Sequence, residues 1–180
     1  GGQAIAEALF GDYNPGGRLA VTFPKSVGQI PFAFPFKPGS DESSETSVYG
    51  ALYPFGHGLS YTTFQYSDLV ISPSKQGVQG NISISCTIKN IGQREGDEVV
   101  QLYLRDEVSS VTTYTQVLRG FERITLKPEA SHTVHFELTP QELGIWDKQM
   151  NFTVEPGMFK VMIGSSSKDI RLKGEFEIAQ

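Results

Sequence analysis

Ile82-Ser83-Ile84-Ser85-Cys86-Thr87-Ile88-Lys89 alternates apolar and polar side chains without a break. In an extended chain, successive side chains point to opposite faces. This run therefore puts Ile82, Ile84, Cys86 and Ile88 against a core and turns Ser83, Ser85, Thr87 and Lys89 away from it. The same period recurs further on. Val100, Leu102 and Leu104 alternate with Gln101, Tyr103 and Arg105, and Val134, Phe136 and Leu138 with Thr133, His135 and Glu137. Phe159, Val161 and Ile163 alternate with Lys160 and Met162, and Leu172, Gly174, Phe176 and Ile178 with charged neighbours. Turn-forming clusters separate the runs: Asn90-Ile91-Gly92, Lys127-Pro128-Glu129, Glu155-Pro156-Gly157 and Gly164-Ser165-Ser166. From residue 64 onward the pattern predicts about seven short, half-buried strands, an immunoglobulin-like β-sandwich. The single cysteine excludes the inter-sheet disulfide of antibody domains, so the fibronectin type III variant is expected. Cys86 is read as a small core hydrophobe, and Trp146 falls between strands.

Upstream of this region the texture differs. Gln3-Ala4-Ile5-Ala6-Glu7-Ala8-Leu9-Phe10 are helix formers, with Ile5 and Leu9 spaced to share a face and Gly11 placed to cap. Two turns are too few to stand alone in water, so this helix needs a partner, expected in sequence further upstream. Asp12-Tyr13-Asn14-Pro15-Gly16-Gly17 is a dense turn signal, and Arg18 to Phe23 is expected to form a short strand ended by Pro24. Helix, turn and strand read as the last repeat of an α/β layer. Residues 25–63 show no period and read as a long ordered connector. Pro31, Pro35 and Pro38 punctuate Phe32, Phe34 and Phe36, which suggests an interface, and the acidic Ser40 to Glu45 forms a mobile tip.

The 180 residues suffice for one domain plus an appendage, and 38% hydrophobic with 19% charged residues can bury a core. Nineteen Gly and ten Pro favour turns and strands over long helices. A net charge of −5 without a basic stripe argues against a nucleic-acid partner. No stretch approaches the ~20 apolar residues that cross a bilayer, so no membrane partner is expected. The chain opens Gly1-Gly2-Gln3, without Met, a charged n-region or an apolar h-region, and is read as a fragment or processed product.

Two stretches carry a resemblance. Gly1-Gly2-Gln3-Ala4-Ile5-Ala6-Glu7-Ala8-Leu9-Phe10-Gly11-Asp12-Tyr13-Asn14-Pro15-Gly16-Gly17-Arg18-Leu19-Ala20-Val21-Thr22-Phe23-Pro24 resembles the end of the second, α/β-sandwich domain of family 3 glycoside hydrolases of the β-glucosidase or β-xylosidase type. Leu52-Tyr53-Pro54-Phe55-Gly56-His57-Gly58-Leu59-Ser60-Tyr61-Thr62-Thr63-Phe64 resembles the entry into their fibronectin type III-like domain, and Leu118-Arg119-Gly120-Phe121-Glu122-Arg123-Ile124 that domain's internal motif. The resemblance implies the end of an α/β domain over 1–24, a connector over 25–63 and the sandwich over 64–180. Position 20 is Ala where the family usually has Pro. After Gln29-Ile30-Pro31 the aromatic run replaces a segment that often leads to an Arg-containing turn, so substrate preference does not carry over. The family comprises retaining, exo-acting hydrolases of β-linked glycosides, whose two carboxyl groups stand about 5–5.5 Å apart. The resemblance places the nucleophilic Asp in an N-terminal barrel and the acid/base Glu earlier in the α/β domain. No catalytic, cofactor or metal residue is therefore assigned here. The implied partners are the N-terminal catalytic domains and, through them, a β-linked substrate, in a periplasmic or secreted setting.

The remaining candidates have structural readings. Glu7 and Asp12 are expected to be solvated carboxylates. Asp97-Glu98 and Asp106-Glu107 are adjacent on a strand pattern, so neither pair converges, and strand-edge solubility is expected of both. His132 and His135 fall on opposite faces, wrong for one metal. His57, between two glycines, reads as a packed loop residue or domain contact. Asn81-Ile82-Ser83 and Asn151-Phe152-Thr153 fit the glycosylation sequon. Two other functions compete with a hydrolase fragment. One is a free-standing type III-like binding module. The other is a carbohydrate-binding module using exposed aromatics, with Tyr103 and Tyr114 as candidates.

Overall fold

A computed structural model of the chain describes residues 1–29, 32–40, 42–43 and 48–180. The Ile30-Pro31 step and, in the acidic stretch 40–45, residues 41, 44 and 45 lie outside the described residues. The elements run α1 (Gly2–Phe10), a 3-10 turn (Val27–Gln29), β1 (Glu42–Ser43), β2 (Val48–Tyr49), β3 (Phe64–Ser72), β4 (Lys75–Gly77), β5 (Ile82–Asn90), β6 (Gly96–Asp106), β7 (Val117–Leu126), β8 (Ser131–Leu138), α2 (Pro140–Leu143), β9 (Ile145–Trp146), β10 (Phe152–Thr153), β11 (Gly157–Gly164) and β12 (Ile170–Ala179).

Two sheets make the expected sandwich, one ordered β3-β5-β8 and the other β4-β12-β11-β6-β7. Pairing within them is antiparallel except where β4 runs parallel to β12. The alternation in β5 sets the register, with Ile84 opposite Phe136 and Cys86 opposite Val134 on β8. The faces turned inward meet in one core. Ile82, Ile84, Cys86 and Ile88 face Val100, Leu102 and Leu104 of β6, Phe159, Val161 and Ile163 of β11, and Phe176 and Ile178 of β12. Phe159 and Phe176 stack with centroids 5.3 Å apart. Each fully buried side chain of this size contributes roughly 1.5–3 kcal/mol relative to exposure. Cys86 is fully buried among them, and burial pushes its thiol up to about 11.

The Asn90 turn is fixed from inside. Buried Asn90 donates through Nδ2 to the carbonyls of Arg94 (2.7 Å) and Leu126 (2.9 Å). Its Oδ1 accepts from Thr62 Oγ1 at 2.7 Å and Gly92 N at 3.0 Å, so every polar site of the amide is used.

Two expectations change. Arg18 to Phe23 does not form a strand. Its backbone meets residues 52–57 at Leu19 and Phe23: Leu19 N donates to His57 O (2.9 Å) and Leu19 O accepts from Gly56 N (2.8 Å), while Phe23 N donates to Tyr53 O (2.9 Å) and Phe23 O accepts from Leu52 N (2.8 Å). Between them the backbone bends at Ala20 and Val21. The partner segment cannot extend a ladder, because Pro54 has no N–H to give and the chain turns there, His57 N bonding Pro54 O at 3.1 Å. Trp146 lies not between strands but in β9, paired with Phe152 of β10 and 59% exposed.

Candidate functional site: an anchored segment with an uncovered face

Strand β6 is buried on both sides. Its inward residues enter the core, and Gln101 and Tyr103, which point the other way, are also buried. The connector covers them. Phe34 stacks on Phe55 at 4.6 Å and meets Tyr103 edge-on at 5.7 Å, while Phe36 packs edge-on against Phe34 at 6.1 Å. The expected interface of the Phe run is therefore with the sandwich itself. Gln101 joins the two: its Nε2 donates to Gly56 O of the connector at 3.4 Å and to Ser165 O at 2.6 Å, and its Oε1 accepts from the Tyr103 hydroxyl. Gly56 sits against it at φ +82, where an added Cβ would stand 2.1 Å from Gln101 Oε1.

Further bonds tie residues 1–63 down. Arg18 donates to Glu98 at 2.7 Å, their side chains 10% and 4% exposed. Asn14 Nδ2 donates to Glu95 O, Asn14 Oδ1 accepts from Tyr61 N, and Tyr61 OH donates to Ala8 O at 2.7 Å. Arg94 reaches Gly11 O at 2.7 Å, and Ser167 N donates to Phe55 O at 2.9 Å. Buried Gln29 closes the 3-10 turn, accepting from Lys25 N at 2.6 Å and donating to Gly50 O at 3.0 Å.

The other side of this segment is bare. Helix α1 ends at Gly11 in the left-handed conformation, as its sequence predicts, yet none of its residues is buried. Ile5 is 62% exposed, Leu9 72% and Phe10 84%. Tyr13, Val21, Phe23, Leu52, Tyr53 and Leu59 are exposed as well. A two-turn helix is marginal in water without a packed apolar side, so this face is built to be covered.

The candidate residues sort as follows. Asp97 and Glu98 do point apart, but Glu98 is no surface carboxylate: it is buried against Arg18, while Asp97 meets Arg123 and Thr125. The strand-edge reading overlooked Arg18, which is eighty positions away in sequence. Glu107 binds Lys160 at 2.7 Å and Arg105 at 3.0 Å, and Asp106 is half-buried, burial pushing its carboxyl up to about 6. Glu7 is half-buried and accepts from Gln3 at 2.8 Å, and Asp12 is exposed. His57 stacks on Tyr53 at 5.0 Å, a packed loop residue as read. His132 and His135 are exposed, and His132 lies 3.6 Å from Glu122. Among the described residues no group of three or more His, Cys, Asp or Glu could hold a metal. Tyr103 is fully buried and cannot present a ring to a glycan, whereas Tyr114 is exposed. Asn81 and Asn151 are exposed, but Asn81 already donates to Glu137.

The geometry defines a class: a fibronectin type III-like sandwich that carries on its five-stranded face a segment made to be covered. Comparison with known proteins places it further. Residues 98–167 match the fibronectin type III-like domain, and residues 1–61 match the glycosyl hydrolase family 3 C-terminal domain. The chain belongs to glycoside hydrolase family 3 and corresponds to the C-terminal region of its members. It is 44% identical to a periplasmic β-glucosidase of Salmonella typhimurium over 99% of its own length and 25% of that protein's. It is 43% identical to a β-xylosidase of Formosa agariphila over 96% of its own length and 24% of that protein's. A β-glucosidase structure from Erythrobacter marinus superposes with a TM-score of 0.92 at 39% identity, over 99% of this chain and 24% of that one. The chain spans about a quarter of the length of the curated relatives it matches.

Proposed function

We propose that this chain is the C-terminal region of a retaining, exo-acting β-glycosidase that removes terminal glucosyl or xylosyl residues, and that its own task is to buttress the catalytic domains. The observation that carries the reading is the two-sided segment 1–63. One side is bonded to the sandwich, and the other leaves Ile5, Leu9 and Phe10 without cover. We assign residues 1–24 to the end of an α/β domain, 25–63 to a connector and 64–180 to the sandwich. The rest of the parent polypeptide is the occupant of the bare face, since the relatives are about four times as long as the stretch they share with this chain.

In this reading the two carboxyl groups of a retaining mechanism, nucleophile and acid/base, come from the other domains. Glu98, Asp97 and Glu107, each held by a cation here, serve the fold. The likeness to a periplasmic β-glucosidase supports a periplasmic or secreted parent. Neither nucleic acid nor membrane is a partner in this reading, and among the described residues no helix is long and apolar enough to cross a membrane.

The test is to express the whole reading frame and, separately, these 180 residues, and to assay both on p-nitrophenyl β-glucoside and β-xyloside. The whole protein is expected to hydrolyse at least one, with retention, and the isolated chain neither. Turnover by the isolated chain, or none by the whole protein, would overturn the proposal.

A further inference from the structure

A second surface lies at the far end of the sandwich. Between β4 and the β9–β10 hairpin runs a groove of about 700 Å³, lined by Gln79, Pro140, Gln141, Trp146, Phe152 and Thr153 among others. That size falls in the range of small-ligand sites. Among the described residues, none of those lining it comes from residues 1–63 and none carries an ionisable side chain.

The groove is built around an exposed indole held in place. Trp146 pairs with Phe152 across the hairpin, their rings edge-on at 5.5 Å. Phe152 in turn lies against Gly144, where an added Cβ would stand 2.3 Å from Phe152 Cζ, so the ring occupies the space a side chain would take. The hairpin turn is locked by Asp147, whose Oδ1 accepts from Gln149 N and Asn151 N, both at 2.8 Å. Gln141 is set in the first turn of α2 by a capping box between Thr139 and Glu142, with Pro140 beside it. The result is an aromatic plate, 59% open, flanked by the amides of Gln79 and Gln141.

From this arrangement we infer a binding site for a neutral, β-linked oligosaccharide, with one sugar ring stacked on Trp146. A pyranose with equatorial substituents has two nearly apolar C–H faces and a rim of hydroxyls. The faces suit an indole, and the rim suits amides, which both donate and accept. The lack of charge in the lining disfavours an anionic or cationic ligand, which would lose its hydration without a counter-charge. The rigid hairpin reduces the ordering cost of binding. The neutral sugar is read from the groove itself, and the β linkage rests on the function proposed above.

Trp146 is the only tryptophan, so its emission reports on this site alone. The 180-residue chain is to be titrated with xylohexaose, cellohexaose, maltohexaose and oligogalacturonate. A saturable change with xylohexaose or cellohexaose is expected, half-complete at or below about 1 mM. By calorimetry, Gln141→Ala should weaken binding by roughly 2–10-fold, the worth of one hydrogen bond. Trp146→Ala should abolish binding and Trp146→Tyr should keep it, all with unchanged far-UV circular dichroism. No change with either β-linked sugar up to about 10 mM, a range that would still reveal weak binding, would overturn the site. Undiminished binding by Trp146→Ala would do the same. Equal response to maltohexaose would remove the β assignment, and equal response to oligogalacturonate the neutral one. These outcomes are independent of whether the whole protein hydrolyses glycosides, so failure here and failure of the proposed function are told apart.

Discussion

At the residue scale, the ion pair between Arg18 and Glu98 joins two regions that are eighty positions apart. Both ends are largely out of water, so removing one strands the other. Arg18→Met is expected to lower stability by roughly 3–5 kcal/mol, and Arg18→Met with Glu98→Leu to recover most of that loss. Urea unfolding of the three proteins checks it, and a double variant as weak as the single one would count against a strained, desolvated pair. Asp106 behaves differently. Its carboxyl stands near 6 in the fold, above the ordinary value of about 3.9. The folded state therefore holds its proton over a range where the unfolded chain has lost it, and stability falls as pH rises from about 4 through about 6. Asp106→Asn keeps an acceptor for Val108 N and escapes this penalty. Its melting temperature should match the parent's near pH 4 and exceed it at pH 7, whereas a constant offset across that range would contradict the assignment.

At the scale of elements, β5 was legible because its two faces meet different surroundings, so period-two alternation survives in the sequence. Strand β6 was legible only by half. Its Val100, Leu102 and Leu104 announce a core, but Gln101 and Tyr103 look like solvent-facing residues until Phe34 and Phe55 are placed over them. Local pattern carries no trace of a cover that arrives from residues 34–56. The same reason explains why Glu98 was read as a surface charge and why the Trp146 plate went unread, with Tyr103 and Tyr114 considered in its place. The expected strand over Arg18 to Phe23 failed through its partner, since Pro54 cannot extend a ladder. The latch at Gly56 tests the covering of β6. Gly56→Ala would combine a side chain at φ +82 with a collision against Gln101. The left-handed conformation alone costs about 1–2 kcal/mol, and losing the Gln101 bonds should raise the total. Gln101→Ala in the same background should make the second change nearly free, a coupling that a double-mutant cycle measures.

At the scale of the whole molecule, one sandwich bears two outward faces with different demands. The groove at Trp146 rests on a locked hairpin and is lined, among the described residues, by no ionisable side chain. The N-terminal segment is bonded on one side and bare on the other. Phe10, 84% exposed, contributes little to the isolated chain, so Phe10→Asp should change its stability by no more than about 0.5 kcal/mol. In the whole protein, with the docking proposed above, the same change would bury a charge, and thermal unfolding should shift down by several degrees. The most direct test of this arrangement is amide hydrogen exchange over residues 2–10, compared between the 180-residue chain and the whole protein. Helix α1 should exchange freely in the first and be slowed by roughly a hundredfold or more in the second, where the proposed docking covers Ile5, Leu9 and Phe10. Equal exchange in both would mean that nothing docks there, and the buttressing role would fall.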